Sequence, residues 1–314
     1  MVYKLFKILA YLAIKIYSKK TVANFDENTT FSNPKIIASN HPNSFFDAIQ
    51  IAVHYPKPIY FLARGDAFKN PIIAKFLKTL HLIPIYRLSE GKNNLSKNEA
   101  TFKECIELLK QNQTILIFSE GLCVHEWKLR PLKKGTARLA LMALNEGIIG
   151  LQIQPTTLNY SSFNKNPKDV ELNFNAEFKP EIDFNKKESE FYIEFNLRLK
   201  KGILDKMILQ NNGDTIIIFK KSGIILKKII LVIPALLGFL LNYCIYIVFK
   251  NFAYKKTKNT VFYDSVLFGL LLLIYPIIVM LISIFIGLFI NFKIALLSFV
   301  LFPVSAWCFK EYKK

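Results

Sequence analysis

Three long apolar segments fill the last third of the sequence, within residues 222–314. They cover residues 229–249, 266–290 and 294–309. A helix needs about 20 apolar residues to cross a bilayer, so the second segment is long enough and the third is slightly short. Pro234 and Gly238 interrupt the first segment. Residues 222–314 are therefore predicted to form a helical membrane region.

The lysines beside the first apolar segment predict how it lies in the membrane. Two precede it and four follow it: Lys227, Lys228, Lys250, Lys255, Lys256 and Lys258. Lysines stay preferentially on the cytoplasmic side, and a single crossing would separate the two groups. Residues 229–249 are therefore predicted to form a bent, interfacial or re-entrant hairpin, with 266–290 and 294–309 as a transmembrane hairpin. The alternative is three true spans, with the C-terminal tail on the side opposite the rest of the chain.

The net charge of +19 limits the partners that the chain can have. A basic protein binds nucleic acid or an anionic membrane surface. Because the lysines flank apolar segments, membrane lipids are predicted as partners and nucleic acid is not. Residues 1–20 alternate apolar and basic side chains, which predicts an amphipathic membrane-associating helix. The alternative is a helix that packs against an ordinary core.

Residues 21–221 predict an α/β domain, in which a mixed sheet is flanked by helices. Strands are predicted at 34–39, 58–63, 82–86, 114–119, 148–158 and 169–175. Helices are predicted between them at 44–53, 72–79, 96–111, 136–145 and 187–201. In such folds, sites lie at the carboxyl ends of strands.

One of those strand ends carries a histidine followed six residues later by an aspartate, His41 and Asp47. A histidine can take a proton from a hydroxyl, and a carboxylate can fix its tautomer. Such a pair is more often a solvated loop and a helix-start carboxylate. Residues six apart on one helix point about 120° apart, so contact requires His41 in the loop and Asp47 in the first helical turns. Pro42, with Asn43 or Ser44 as N-cap, allows this arrangement.

Two further strand ends carry cations suited to phosphate. Arg87 follows the strand at 82–86, although a surface arginine is an equal alternative. The strand at 114–119 leads to Glu120 and Gly121, and then to a loop with four cations: Lys128, Arg130, Lys133 and Lys134. These could gather phosphate near a helix N-terminus, or form a solvated basic loop. The strand at 148–158 is interrupted by Pro155, which predicts an edge or a bulge.

Taken in order, these blocks resemble the glycerolipid acyltransferase family, which includes lysophosphatidate, glycerol-3-phosphate and dihydroxyacetone-phosphate acyltransferases. The resemblance covers roughly residues 30–160 and rests on Asn40-His41…Asp47, Arg87, Phe118-Ser119-Glu120-Gly121 and Pro155. Five residues, not the family's usual four, separate His41 from Asp47, and Leu122-Cys123 replace the usual Thr-Arg. Both departures resemble the glycerol-3-phosphate and dihydroxyacetone-phosphate branch.

The resemblance implies a membrane-bound O-acyltransferase of phospholipid biosynthesis, in the inner membrane and facing the cytoplasm. It implies that His41 is the base and that Asp47 orients it. It also implies that the substrate is bound by the cations and by residues near them: Asn40, Arg87, Glu120, Gly121, Lys128, Arg130, Lys133 and Lys134. The implied acceptor is 1-acyl-sn-glycerol-3-phosphate, with glycerol 3-phosphate or dihydroxyacetone phosphate as alternatives. The donor is an acyl thioester on coenzyme A or acyl-carrier protein, and no cofactor or metal is needed.

Two other functions are compatible with parts of the sequence. A non-catalytic membrane lipid-binding protein could keep this fold, and the altered spacing between His41 and Asp47 is the only support for it. An α/β-hydrolase esterase is disfavoured because a Gly-x-Ser-x-Gly elbow is lacking. The four cysteines show no paired spacing, which predicts a reducing compartment and no zinc site. Cys123 is a weak candidate nucleophile, and His125 a candidate auxiliary residue.

Overall fold

A computed structural model describes residues 2–86, 97–211, 213, 215–219 and 225–314. Within these residues seven strands form one sheet: β1 Lys20–Phe25, β2 Lys35–Ser39, β3 Ile59–Arg64, β4 Leu82–Ile85, β5 Thr114–Phe118, β6 Gln152–Tyr160 and β7 Asp169–Phe174. The helices are α1 Val2–Tyr17, α2 Phe45–His54, α3 Pro71–Thr79, α4 Lys97–Lys110, α5 Gly135–Asn145, α6 Glu188–Leu204, α7 Ile225–Thr257, α8 Tyr263–Phe289 and α9 Phe292–Tyr312. The predicted mixed α/β sheet flanked by helices is confirmed.

The sheet places β2 near its centre, in the order β1-β7-β6-β2-β5-β3-β4. The β6–β7 pair is antiparallel, and the other neighbours run parallel. All five residues of β2 are buried, as expected for a strand covered on both faces. Ser39 at its carboxyl end lies level with Phe118 of β5 and Thr156 of β6. The loops that follow β2 and β5 therefore start side by side.

Alternate side chains of the central strands fill two hydrophobic cores, one on each face of the sheet. Ile37 and Leu116 belong to the core that also contains side chains of α1, α2 and α8. Ile36 and Ile115 belong to the other core, with α4, α5 and α6. Helix α8 and the end of α7, at Phe249 and Ala253, thus share a core with α1 and α2.

One strand of the sheet was missed by the sequence prediction, and one proline lies inside another strand. β1 was not predicted, because as an edge strand paired with β7 it is only partly buried and lacks a strong apolar pattern. Pro155 lies inside the fully buried β6, where the antiparallel register shifts by one residue between the pairs Thr156–Phe174 and Ile153–Phe178. This shift is the predicted bulge, and the missing N–H of proline is tolerated there because Pro155 belongs to neither pair.

Helix α1 packs against the core with one face and exposes an apolar face on the other, so it combines the two predicted alternatives of a core-packing and a membrane-associating helix. Its inner face, with Ala10 and Ile14 almost fully buried, packs into the first core. Its outer face leaves Leu5, Ile8 and Leu12 each more than half exposed. One face therefore holds the helix on the domain, while the other is an apolar surface suited to a membrane interface.

Residues 229–249, predicted to form a bent, interfacial or re-entrant hairpin, lie within a single helix, and how this helix lies in the membrane stays a prediction. The helix, α7, runs for 33 residues with Pro234 inside it. A side chain at Gly238 would overlap the carbonyl oxygen of Ser305 in α9. The glycine instead allows α7 and α9 to pack closely, and packed membrane helices tolerate an internal proline.

Three of the described helices are long and apolar enough to cross a membrane: Leu226–Thr257, Tyr263–Phe289 and Phe292–Tyr312. The third extends beyond the predicted 294–309 at both ends, which removes its shortfall in length. α8 and α9 are antiparallel, since Ser283 bonds to Ser298 and Gly287 lies against Ala295. The predicted hairpin of the last two segments is therefore present as a pair of packed helices. The predicted domain boundary at 221–222 lies outside the described residues.

Candidate active site

The loop after β2 brings His41 against Asp47. α2 begins at Phe45, so Asp47 lies in the first turn of that helix, facing back toward the loop. His41 Nδ1 and Asp47 Oδ2 are 2.9 Å apart. This is the arrangement that the six-residue spacing required, with the histidine before the helix and the carboxylate inside it.

Asp47 is fully buried and is held by two more hydrogen-bond donors. The backbone N–H of Asn43 donates to Oδ2 at 2.7 Å, and the Tyr160 hydroxyl donates to Oδ1 at 2.7 Å. Burial and the neighbouring carboxylate raise the pKa of Tyr160 well above its ordinary value, so its hydroxyl remains a donor. A carboxylate only accepts hydrogen bonds, so Nδ1 of His41 carries a proton and Nε2 is left to accept one.

Two side chains complete the surroundings of His41, one at the end of β5 and one in the loop that follows it. The Phe118 ring stacks on the imidazole with ring centroids 3.8 Å apart. The Sγ atom of Cys123 accepts a hydrogen bond from the backbone N–H of Ser44 at 2.9 Å. The imidazole is thus fixed by stacking on one face and by Asp47 at one edge.

Glu120 ties the two loops of the site together. Its Oε1 accepts from the His41 backbone N–H at 2.7 Å, and its Oε2 accepts from the Arg130 backbone N–H at 3.0 Å. The side chain is 5% exposed and does not line the cavity described below. Glu120 was predicted to shape the site. It does so by holding the backbone of residues 40–44, called the histidine loop below, and not by lining the cavity.

Burial of Glu120 predicts a pH dependence of stability. Burial raises the pKa of this carboxyl group above its ordinary 4.5. The folded protein then binds this proton more readily than the unfolded chain, so stability falls as the pH rises through the raised pKa. Glu120→Gln removes this titration. The unfolding free energy of the wild type should therefore fall relative to that of Glu120→Gln as the pH rises from 4.5. Denaturant unfolding at several pH values measures this, and parallel pH curves would contradict it.

The Asn40 side chain anchors the histidine loop to β6 and does not contact a substrate. Its amide oxygen accepts from the Leu158 N–H at 2.8 Å, and its amide nitrogen donates to the Leu158 carbonyl at 3.0 Å. The side chain is 1% exposed. This differs from the predicted substrate contact, because the strand takes both ends of the amide.

The predicted phosphate-binding cations lie in different environments. Lys128 and Arg130 both pair with Glu126, which partly offsets their charge. Lys133 lines the cavity described below, where a side chain on Gly121 would meet it. Gly121 has φ +65°, a conformation that favours glycine.

Of the two remaining predicted cations, only Lys134 belongs to the described residues. Lys134 precedes α5, is exposed and does not line the cavity. Arg87 lies outside the described residues, directly after Tyr86, which lines the cavity.

A cavity of about 700 Å³ opens beside His41. Its wall is mainly apolar and comes from α1, α2, β3 and β4, with side chains such as Phe6, Ala48, Val53, Phe61 and Leu82. Arg64, at the end of β3, lines it near Tyr86. The cavity thus joins a proton-accepting histidine to a mainly apolar space whose lining also includes Lys7, Arg64 and Lys133.

His125, a candidate auxiliary residue, packs away from this cavity. Its ring stacks on Phe163 with centroids 5.1 Å apart, and burial lowers its pKa. It does not contribute to the cavity wall. His125 therefore supports the loop and does not face a substrate.

Comparison with known proteins identifies the part of the chain that holds this site. Residues 14–159 match the family model described as Acyltransferase. The match covers a little under half of the chain. The matched region, called the acyltransferase domain below, includes β2, β5 and almost all of β6, together with His41, Asp47 and Glu120.

The acyltransferase domain has relatives among proteins of assigned function. A 1-acyl-sn-glycerol-3-phosphate acyltransferase of Bacillus subtilis (strain 168) is 30% identical over 130 residues, which are 41% of this chain and 57% of that protein. The chloroplastic 1-acyl-sn-glycerol-3-phosphate acyltransferase LPAT1 of Arabidopsis thaliana is 25% identical over 152 residues, 48% of this chain and 39% of the relative. The chain thus matches less than two thirds of the length of either relative.

A solved structure is also similar to this chain. It is the 1-acyl-sn-glycerophosphate acyltransferase PlsC of Thermotoga maritima, at 17% sequence identity and a TM-score of 0.45. The similarity covers 67% of this chain and 82% of that one.

Sequence reasoning missed several side chains that shape the acyltransferase site. Tyr160 closes a strand far from Asp47 in the sequence, and a single tyrosine in a buried strand gives no local signal. Phe118 was quoted only as part of a motif. Asp264 had a usable signal, because an acidic residue at the edge of a membrane helix is rare and usually has a partner.

Proposed function

We propose that this chain is a membrane-bound acyltransferase that moves a fatty acyl group from an acyl thioester to a hydroxyl of a glycerophosphate-type acceptor. The acceptor that we infer is 1-acyl-sn-glycerol-3-phosphate, the substrate named for the relatives from Bacillus subtilis and Arabidopsis thaliana. The observation that carries this proposal is the His41–Asp47 pair at the edge of an apolar cavity of about 700 Å³.

We infer that these residues catalyse a direct transfer. The acceptor hydroxyl gives its proton to His41 Nε2 while its oxygen attacks the thioester carbonyl. Asp47 stabilises the imidazolium that forms, as in the histidine–aspartate part of a serine-protease triad. The carbon–sulfur bond breaks, and the departing thiolate takes the proton. The protein itself forms no covalent bond, because the substrate supplies the nucleophile.

The apolar wall fits a fatty acyl chain, since burying a chain there removes about 0.8 kcal/mol of unfavourable hydration per methylene group. Part of this wall comes from α1, whose opposite face is exposed and apolar. An acyl chain could therefore pass from the bilayer to the cavity along α1. We infer that the donor is an acyl thioester on coenzyme A or on acyl-carrier protein, without a further cofactor.

Lys133 is the described residue that we assign to the acceptor phosphate among the predicted loop cations. A charge-assisted hydrogen bond contributes about 1.5–3 kcal/mol. Lys133→Ala should therefore raise KM for a phosphorylated acceptor by about 10-fold to 100-fold, with little change in KM for the acyl thioester. Lys134→Ala is the matched control, because that lysine is adjacent and does not line the cavity. Equal effects of the two variants on both substrates would contradict the assignment.

The membrane helices suggest that the catalytic domain and both ends of α7 share the cytoplasmic side. α9 runs back antiparallel to α8, so its end at Glu311 returns toward the domain, where Lys227 of α7 pairs with it. At the other end of α7, Ala253 is buried in the core that contains the start of α8. Both lysine groups around α7 then lie near the domain, as the positive-inside rule favours.

This topology predicts the labelling of single cysteines. In a chain without its four native cysteines, Lys256→Cys and Lys313→Cys should both react with a membrane-impermeant maleimide from the cytoplasmic side alone. Inverted and right-side-out membrane vesicles distinguish the two sides. Labelling of both positions from the opposite, non-cytoplasmic side alone would show that α7, α8 and α9 are three successive spans.

The acceptor is tested with the purified full chain and one acyl thioester. Offered 1-acyl-sn-glycerol-3-phosphate, glycerol 3-phosphate and dihydroxyacetone phosphate at equal concentrations, the protein should acylate the first with the highest kcat/KM. Preference for either of the smaller acceptors would overturn the acceptor assignment and leave the acyltransferase assignment in place. Binding of acyl thioester with no transfer to any acceptor would favour a lipid-binding role.

A further inference from the structure

We propose that the first turn of the membrane helix α8 is part of the active-site scaffold, with Asp264 and Ser265 as positioning residues for the His41–Asp47 pair. This inference rests on the proposed acyltransferase function for its kinetic consequences. Its structural part, the coupling of α8 to the histidine loop, does not depend on that function.

Asp264 is a buried junction between the membrane region and the domain. Its side chain is fully buried and pairs with Lys168, whose side chain is also fully buried. Tyr17 at the end of α1 donates to Oδ1 at 2.6 Å, and Asn43 donates through its amide nitrogen to Oδ2 at 2.6 Å. A membrane helix thus contacts the loop that follows His41.

Asn43 links Asp264 to the catalytic carboxylate of Asp47. Its side chain is held by Asp264, while its own backbone N–H donates to Asp47 Oδ2 at 2.7 Å. The same Oδ2 atom lies 2.9 Å from His41 Nδ1. A shift of the Asn43 backbone would therefore change the position of Asp47 relative to the imidazole.

Ser265 provides the second contact, at the start of α2. Ser44, at the N-cap position, makes no hydrogen bond from its side chain to the helix and has φ +53°. A serine in this left-handed conformation is strained. The N–H of Phe46, unsatisfied within α2, donates to Ser265 Oγ at 3.2 Å. A hydroxyl from α8 thus acts as the cap that Ser44 does not supply.

These contacts explain how the loop tolerates its additional residue. Five residues separate His41 from Asp47, and the left-handed conformation of Ser44 lies within them. On either side of Ser44, the side-chain amide of Asn43 and the backbone N–H of Phe46 both donate to acceptors on α8. We therefore infer that the acyltransferase domain and the C-terminal membrane region together fix the position of Asp47 relative to His41.

The test uses the full chain in detergent or nanodiscs and begins with Ser265→Ala, which removes the cap but no charge. A small misplacement of catalytic groups lowers the rate strongly, so kcat should fall about 10-fold while KM for the acyl thioester stays unchanged. Hydrogen exchange of the backbone amides at residues 43–47 should become faster. The matched control is Ser283→Ala, which removes a buried hydroxyl from the same helix at its bond to Ser298. It should change neither quantity.

A second variant removes the buried ion pair as a unit. Asp264→Asn alone would leave Lys168 charged and unpaired, so it is combined with Lys168→Met. The double variant should lower kcat at least as much as Ser265→Ala and accelerate exchange at residues 43–47. Asn43→Ala should show the same exchange effect, and its effect on kcat should not add to that of the double variant.

Unchanged exchange at residues 43–47 in both Ser265→Ala and the double variant would overturn the proposal. Loss of kcat in proportion to a loss of thermal stability, without faster exchange in this loop, would also overturn it. If the wild-type chain transferred no acyl group, the proposed function would fail, while the exchange measurements would still decide whether α8 holds the loop.

Discussion

Replacement of His41 by alanine is expected to lower kcat by about 10⁴-fold, because the acceptor hydroxyl then has no base to take its proton. The fold should persist, since the imidazole lies at the cavity wall with 15% of its side chain exposed. Steady-state kinetics measure the rate, and circular dichroism with thermal unfolding checks the fold.

The matched control for this variant is His54→Ala. His54 lies at the end of α2, outside the cavity wall, and bonds to the Gln50 carbonyl. Its replacement should leave kcat within a few-fold of wild type, because His54 contacts neither the cavity nor the His41–Asp47 pair. A His41→Ala protein with wild-type kcat would show that another group is the base.

Asp47→Asn is expected to lower kcat by about 10²–10⁴-fold, by the loss of the correct tautomer known from serine-protease triads. The asparagine can still accept from Tyr160 through its oxygen. Its amide nitrogen would then face His41 Nδ1 as a donor, which moves the imidazole proton to Nε2. A histidine protonated at Nε2 cannot accept the hydroxyl proton.

Tyr160→Phe gives the graded comparison, because it removes one of the three hydrogen bonds to Asp47 and keeps the tautomer. Its kcat should fall by about 10-fold, the equivalent of one hydrogen bond. Both rates are measured at saturating substrates. An Asp47→Asn protein as active as the wild type would show that the carboxylate was assigned wrongly across the additional loop residue.

The central strands and α2 could be predicted because their local sequence patterns agree with the positions that they take in the sheet. β2 and β5 are short β-branched runs that end at polar residues, and both are buried in parallel pairs as such runs require. α2 begins close to where the N-cap candidates placed it. The same signals placed His41 in a loop and Asp47 in a helical turn.

The remaining features depend on contacts that the sequence does not encode locally. β1 exists because β7 offers it a pairing edge. The continuity of α7 past Pro234 depends on packing against α9, which also explains Gly238. In the site, Tyr160 reaches Asp47 from the end of the neighbouring strand β6, across 113 residues of sequence, and Asp264 reaches Asn43 across 221 residues.

The most direct test of the account is the fate of a labelled acyl group. The purified full chain is incubated with a radiolabelled acyl thioester and 1-acyl-sn-glycerol-3-phosphate, and the lipids are separated by thin-layer chromatography. The account predicts label in the diacylated glycerol phosphate, and none of this product with His41→Ala. Label found only as free fatty acid, or equal product from His41→Ala, would contradict it.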